Sequence, residues 1–248
     1  MGKIITTIVG VILLFCTNVV TAQDMEDEKQ IFVVYNMIPE NDNISQFEDA
    51  WMEHNQKFHQ ESPVYAFFFE SGPYGGTYQG VEGPLTWTEH ENVEYTDAHG
   101  KDWLDNVQPL LDDPLRVEWW SHMSKYEQNP PEQPNETAII TTYHVKSGEM
   151  ARFKRMLDDW HEANTEQGYD GRYNVYQRQL HGENQIAIIS SLDSGLAELD
   201  DDNEFQQRYV ETHGEGTWQL FLDDFDLSIS KSEVSLRSML GDISTQQN

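Results

Sequence analysis

The stretch IFVVYNMIPENDNISQFEDAWMEHNQKF, residues 31–58, returns about a hundred residues later in a related form. The second copy is IITTYHVKSGEMARFKRMLDDWH, residues 139–161, and Phe47 matches Phe153 at an offset of 106. Trp103 matches Tyr209 and Ser124-Lys125 matches Ser230-Lys231 at the same offset of 106, whereas Tyr35 matches Tyr143 at 108 because the turn that follows is two residues shorter in the second copy. We interpret this register as an internal duplication of the chain.

Both halves show the same order of elements: strand, helix, strand, strand, helix, strand. β-Branched and aromatic runs indicate the strands, and apolar residues spaced three and four apart indicate the helices. In the first repeat, residues 31–126, we predict strands at 31–38, at 64–70 and at 117–126, and a third strand in chain order that ends at Thr88. Helices are predicted to begin at Ser45 and at Asp97. In the second, residues 137–232, we predict strands at 137–145, 172–180, 185–192 and 224–231, with helices from Ser147 and over 204–222.

The proline-rich stretch 127–136 is predicted to be a linker, and 233–248 a polar tail with one short helix at 234–240. The order strand, helix, strand, strand, helix, strand is the βαββαβ unit of ferredoxin-like folds. One such unit covers only one face of its sheet with helices, so the other face needs a partner. The sequence therefore predicts an α+β fold in which two tandem ferredoxin-like repeats pack sheet to sheet as an internal pseudo-dimer barrel.

The chain is strongly acidic, with 44 acidic against 15 basic residues and a formal net charge of −29. Such a surface repels nucleic acid and anionic lipid, so neither is an expected partner. The start of the chain has a basic residue, Lys3, an apolar run and a Val20-Thr21-Ala22 cleavage signal. Residues 1–22 are therefore predicted to be a signal peptide of a secreted or periplasmic protein, with no membrane insertion of the mature chain. A lipoprotein anchored at Cys16 is the alternative.

The order of elements and their duplication over residues 31–231 resemble the dimeric α+β barrel superfamily in a fused, tandem form. That group includes antibiotic-biosynthesis-type monooxygenases, EthD-like and NIPSNAP-like proteins, and haem-binding chlorite dismutases and dye peroxidases. The resemblance implies a ligand pocket between the first helix and the sheet. In the haem-binding members a histidine ligates iron, and no position here matches that residue, so the cofactor stays unassigned.

His54 is the leading candidate for chemistry, because it lies on the apolar stripe of the first helix where the second copy has Trp160. A histidine there could act as a general base or a haem ligand; the alternative is a core-edge histidine hydrogen-bonded to a neighbouring strand. Its expected neighbours in a ligand site are Tyr35, Trp51, Phe68 and Trp87. His59 lies five residues further on, so we expect no joint metal site with His54, and the nine histidines show no spacing typical of zinc or iron.

These features favour an exported, soluble protein that binds a small apolar or aromatic ligand in the first repeat. Cofactor-free oxidative or isomerising chemistry is compatible with such a site. The alternative is an extracellular binding or interaction module without turnover. A pocket in which His54 converges with a second polar group would favour the enzyme. The sequence leaves the ligand and the oligomeric state open.

Overall fold

The computed structural model describes residues 30–130, 136–200 and 204–245. The predicted signal peptide, 1–22, lies outside these residues, as does the 131–135 part of the linker. The strands are β1 (Ile31–Met37), β2 (Val64–Phe69), β3 (Tyr78–Leu85), β4 (Arg116–His122), β5 (Thr137–Val145), β6 (Arg172–Gln179), β7 (Asn184–Ser191) and β8 (Ile229–Met239). The helices are α1 (Ile44–Phe58), α2 (Trp87–Glu91), α3 (Asp97–Asp102), α4 (Met150–Glu166), α5 (Phe205–His213) and α6 (Thr217–Ser228). None of the described helices has the length and apolar character needed to cross a membrane.

The eight strands form one closed barrel in the order β1-β3-β2-β8-β5-β7-β6-β4. Each repeat contributes a four-stranded sheet, β4-β1-β3-β2 and β8-β5-β7-β6, which is the ferredoxin-like order. The sheets join edge to edge, through Phe67 opposite Met239 and through Trp119 opposite Gln179. The predicted fold of two tandem ferredoxin-like repeats in a pseudo-dimer barrel is confirmed.

Alternation along the strands separates the helix-covered face from the barrel interior, because successive side chains of a strand point to opposite faces. On β1, Tyr35 and Met37 pack under α1 in a core that includes Phe47, whereas Phe32 and Val34 line the interior. The same division holds in the second repeat, where Phe153 belongs to an equivalent core beneath α4. Phe47 and Phe153, matched in sequence, are both completely buried.

The last strand departs from the sequence prediction. We expected it at 224–231, but α6 runs to Ser228 and β8 occupies Ile229–Met239. Val117 pairs with Tyr35 and Ser232 with Tyr143, so equivalent positions in the last strands are 115 residues apart rather than 106. Polar residues alternate along β8, which made this strand resemble a tail.

The predicted tail, 233–248, is therefore wrong up to Thr245, and its predicted helix at 234–240 is instead part of β8. Beyond β8, the side chain of Ser244 accepts a hydrogen bond from Ala66 N at 2.8 Å, and that of Thr245 accepts one from Val64 N at 2.7 Å. Asn55 Nδ2 donates to Ile243 O at 3.0 Å. These contacts satisfy backbone donors at the edge of β2 that β8 does not reach. The segment after β8, in the second repeat, therefore covers the part of the first sheet's edge that would otherwise be unpaired.

Two aromatic positions also differ from expectation. The third strand was predicted to reach Thr88, but β3 ends at Leu85. Thr86 and Glu89 then form a capping box that starts α2 at Trp87. Trp160 was predicted to be buried on the inner stripe of α4, and it is half-buried, with its ring 4.3 Å from that of Tyr173.

Replacing Phe47 or Phe153 by alanine should each lower the free energy of unfolding by about 3–5 kcal/mol, the range for truncating a fully buried aromatic side chain. Urea unfolding curves of the variants and the parent measure this loss. Trp87→Ala is the control, since Trp87 is 36% exposed and its loss should stay below about 1 kcal/mol. A loss below about 1 kcal/mol at either phenylalanine would contradict the assignment of these two cores.

Candidate functional site: a histidine cluster and a barrel cavity

Three histidines of the first repeat meet at the end of α1. One ring nitrogen from each of His54, His59 and His99 lies within 4.8 Å of the other two. The Nε2 atoms of His59 and His99 are 3.2 Å apart. His54 and His59 are buried and His99 is half-buried. From their five-residue spacing we expected no joint site of His54 and His59, but the structure brings their rings together.

Two of the three histidines lie near the end of α1. The helix ends at Phe58, and His59 is its C-cap, with φ −112° and ψ 32° and a backbone N–H that still donates to Asn55 O. The ring of His59 lies 5.6 Å from that of His54. His99 arrives from α3, where Thr96 caps the helix by accepting from the His99 backbone N–H.

Hydrogen bonds orient two of the three rings. His54 Nδ1 is 3.0 Å from Asp102 Oδ2, and Lys57 Nζ donates to the other oxygen of Asp102 at 2.8 Å. His59 Nδ1 is 3.3 Å from Ser62 O. Because a carboxylate and a carbonyl accept, both rings donate through Nδ1, which leaves a lone pair on each Nε2 atom.

The three imidazoles are neutral at physiological pH. Burial lowers the pKa of His54, of His99 and, most strongly, of His59, whose pKa falls to about 4. The hydrogen bond from Lys57 holds the pKa of the Asp102 carboxyl below its ordinary value. Neutral, oriented imidazoles can accept a proton or bind a metal ion.

A buried carboxylate, Glu82, lies beside the histidines. It is 1% exposed and accepts hydrogen bonds from Tyr35 Oη at 3.0 Å, Tyr95 Oη at 3.1 Å and Ser62 Oγ at 2.8 Å. Burial is the main reason that the pKa of Tyr35 is raised above its usual value and that of Tyr95 to about 12. The ring of Tyr95 also stacks on that of His99, 4.8 Å between centroids.

The other predicted ligand residues do not gather around His54. Tyr35 donates to Glu82, which lies beside the histidines. Trp51 and Phe68 instead belong to the packed core between α1 and the sheet. Trp87 lies on α2 with its ring 6.3 Å from that of His90. The assignment of a ligand to this side of the first repeat stays a prediction.

The barrel encloses a cavity of about 390 Å³. Side chains from both repeats line it. They include Phe67, Trp120 and Tyr176 as aromatic walls and Glu118 and Arg237 as charged groups. His54 does not line this cavity. A second space, of about 330 Å³, lies among α4, α5 and α6 beside Asp159.

Arg237 of β8 is the unusual group of the barrel cavity. Its Nη1 donates to Gln79 Oε1 at 2.7 Å, and its guanidinium carbon lies 3.8 Å from the centre of the Phe67 ring. Gln79 in turn donates to Asn36 Oδ1 at 3.1 Å. Among the residues that the structure describes, Arg237 Nε is buried without a hydrogen-bond partner. Burial lowers the pKa of Arg237 to about 10, so it stays charged at neutral pH.

Arg237 was not among the predicted site residues, because residues 233–248 were predicted to be a polar tail. The neighbouring cation of the interior, Arg178, is paired: its Nη2 donates to Glu118 Oε1 at 2.7 Å. The alternation of apolar Val234 and Leu236 with polar Ser235 and Arg237 was the sequence signal for a strand here.

Several solved structures share this fold. The chain is similar to a "putative monooxygenase" from Lactobacillus acidophilus NCFM, with 12% identity, a TM-score of 0.55, and 89% of this chain and 98% of that chain covered. It is also similar to an anthrone oxidase-like protein, with 9% identity, a TM-score of 0.55 and coverage of 87% and 92%. Chlorite dismutase from Candidatus Nitrospira defluvii gives 8% identity, a TM-score of 0.51 and coverage of 86% and 93%.

The fold is that of the dimeric α+β barrels. At these identities the likeness shows the fold alone. It extends over both halves of this chain. No protein-family model and no curated protein matches the sequence. The side chains of this α+β barrel are therefore the basis for any statement about its chemistry.

The buried histidines predict a pH dependence of stability. The pKa of His59 is about 4 in the folded chain against 6.5 in the unfolded chain. The unfolded state therefore binds more protons between these values, and stability is lost as pH falls from 6.5 towards 4. The free energy of unfolding of the parent should fall between pH 7 and pH 5, and His59→Gln should make that fall smaller by about 2 kcal/mol.

Urea unfolding at the two pH values, with EDTA present, measures this difference. His161→Gln on α4 is the control, because the pKa of His161 is lowered in a less buried position and its removal should change the difference less. An identical pH dependence in His59→Gln and the parent would contradict a neutral, buried His59.

Proposed function

We propose that this protein binds a small, largely apolar or aromatic molecule carrying an acidic group, inside the barrel. The observation that carries the proposal is Arg237, a charged guanidinium with no carboxylate partner among the described residues, facing a cavity of about 390 Å³. That volume lies within the range of small-molecule sites.

The energetics favour an anionic group next to Arg237. A buried charge is costly unless a hydrogen-bonded counter-charge offsets the loss of water. The amide of Gln79 and the face of Phe67 are neutral, so they compensate the guanidinium only in part. A ligand carboxylate could accept from the free Nε–H and supply the missing charge.

The other residues that line the cavity indicate that the rest of the ligand is apolar. Phe69, Ile140 and Ala187 form an apolar cluster inside the barrel, and Trp120 packs against it. Glu118, which would repel an anion, is held by Arg178. An aromatic or aliphatic body with one acidic end therefore suits this interior.

Turnover is a second candidate function, favoured by the buried pair of His54 and Asp102. A neutral imidazole oriented by a carboxylate is the arrangement of a general base. Proteins of the same fold are named as a putative monooxygenase and as anthrone oxidase-like, so the reaction in this second proposal is cofactor-free oxidative or isomerising chemistry in the first repeat. Because His54 does not line the barrel cavity, binding without turnover is the function that the geometry supports better. Export rests on the signal-like residues 1–22 and remains part of the proposal.

Binding of 2-naphthoate and of its neutral counterpart 2-naphthol, measured by calorimetric titration of the full chain, tests the barrel site. The parent should bind the acid at least tenfold more tightly than the alcohol, because a charge-assisted hydrogen bond contributes roughly 1.5–3 kcal/mol. Arg237→Met should abolish that preference, and Arg237→Lys should keep part of it.

Arg116→Met is the matched control, since it removes the same side chain from a position that is 68% exposed. It should bind both compounds as the parent does, with folding of all variants checked by circular dichroism. Failure of the parent to bind the acid, or equal preference for the acid in Arg237→Met, would refute the proposal.

A further inference from the structure

The geometry points to a metal site: we propose that His54, His59 and His99 together bind one divalent transition-metal ion, with zinc as the expected metal. The site lies on the helix-covered face of the first sheet, so it is separate from the ligand proposed inside the barrel. It assigns a role to the three converging imidazoles, which barrel ligand binding leaves unused.

The nitrogen positions suit tetrahedral coordination. With Zn–N distances near 2.0–2.1 Å, two ligand nitrogens of a tetrahedron are about 3.3 Å apart. The Nε2 atoms of His59 and His99 are already 3.2 Å apart. The third nitrogen lies within 4.8 Å of both, so the His54 ring must move closer to the other two when the ion binds.

The surroundings are those that orient metal-binding histidines. Such residues usually donate their second ring N–H to a carboxylate or a backbone carbonyl, which fixes the ring and its tautomer. His54 meets Asp102 in this way, and His59 meets Ser62 O. Lys57 then holds Asp102 from the other side.

Hydrogen bonding between core histidines is the competing explanation for the cluster. At 3.2 Å, the two Nε2 atoms of His59 and His99 must share one proton. When that proton moves to Nδ1 of His99, a metal ion can accept the Nε2 lone pairs of His59 and His99 together with a nitrogen of His54. A purely structural core would be served by apolar side chains, without three buried or half-buried imidazoles to satisfy.

The ligand set also selects the class of metal. Imidazole suits zinc, copper, nickel and iron, whereas magnesium and calcium prefer oxygen. Three protein ligands leave a fourth position open, as in catalytic zinc sites. His99 is half-buried, which gives that position a side open towards solvent. Glu82 lies nearby as an acceptor whose oxygens are already engaged by Tyr35, Tyr95 and Ser62.

The test uses the full, untagged chain stripped of metal with EDTA and then freed of the chelator. Zinc is titrated by calorimetry and cobalt by visible absorption, both in excess calcium because the acidic surface attracts cations nonspecifically. The parent should bind one ion per chain, and cobalt should show the intense visible bands of a tetrahedral site. His99→Gln, at the half-buried position, should weaken zinc binding at least 100-fold and remove those bands.

Three further variants separate a metal site from a structural cluster. Asp102→Asn should weaken zinc binding by about 10–100-fold, as for other partners of metal-binding histidines, while one ion still binds per chain. His161→Gln and Arg237→Met, outside the cluster, should bind zinc as the parent does. If zinc does not bind with one-to-one stoichiometry, or if His99→Gln binds it as tightly as the parent, the assignment is wrong.

Discussion

The structure depends on the pairing of sheet edges between the two repeats. A ferredoxin-like sheet has two open edges and one uncovered face, and each would otherwise expose unpaired backbone groups or apolar side chains. Here β2 pairs with β8 and β4 with β6, so both edges close at once and both uncovered faces turn inward. Where β8 is too short to satisfy β2, Ser244 and Thr245 accept the remaining backbone donors.

Closure creates two separate environments on opposite faces of the same sheets. The outer faces pack against α1 and α4 in dense aromatic cores centred on Phe47 and Phe153. The inner faces surround a cavity that the side chains do not fill. Each environment holds polar groups that packing alone does not require, the histidine cluster outside and Arg237 inside.

The repeats have diverged where these polar groups lie. His54 of α1 is buried among other histidines, while its counterpart Trp160 packs on Tyr173. In the second repeat the added length before β8 forms α6, and the strand that follows carries Arg237 into the cavity. One candidate site thus depends on the first repeat alone, whereas the other needs strands from both.

The sequence by itself determined the duplication, the order of elements and several bounds, including β5 at Thr137–Val145, because strand and helix periodicities are local. The difference between the copies also placed His54 on the inner stripe of the first helix, where it is buried, while its chemical role stays a prediction. The tertiary structure alone decided that His59 and His99, forty residues apart, share a hydrogen bond. It also decided that Arg237 faces inward. Both outcomes depend on where a helix ends and how strands register across the barrel, and these are set by packing between distant segments rather than by neighbouring residues.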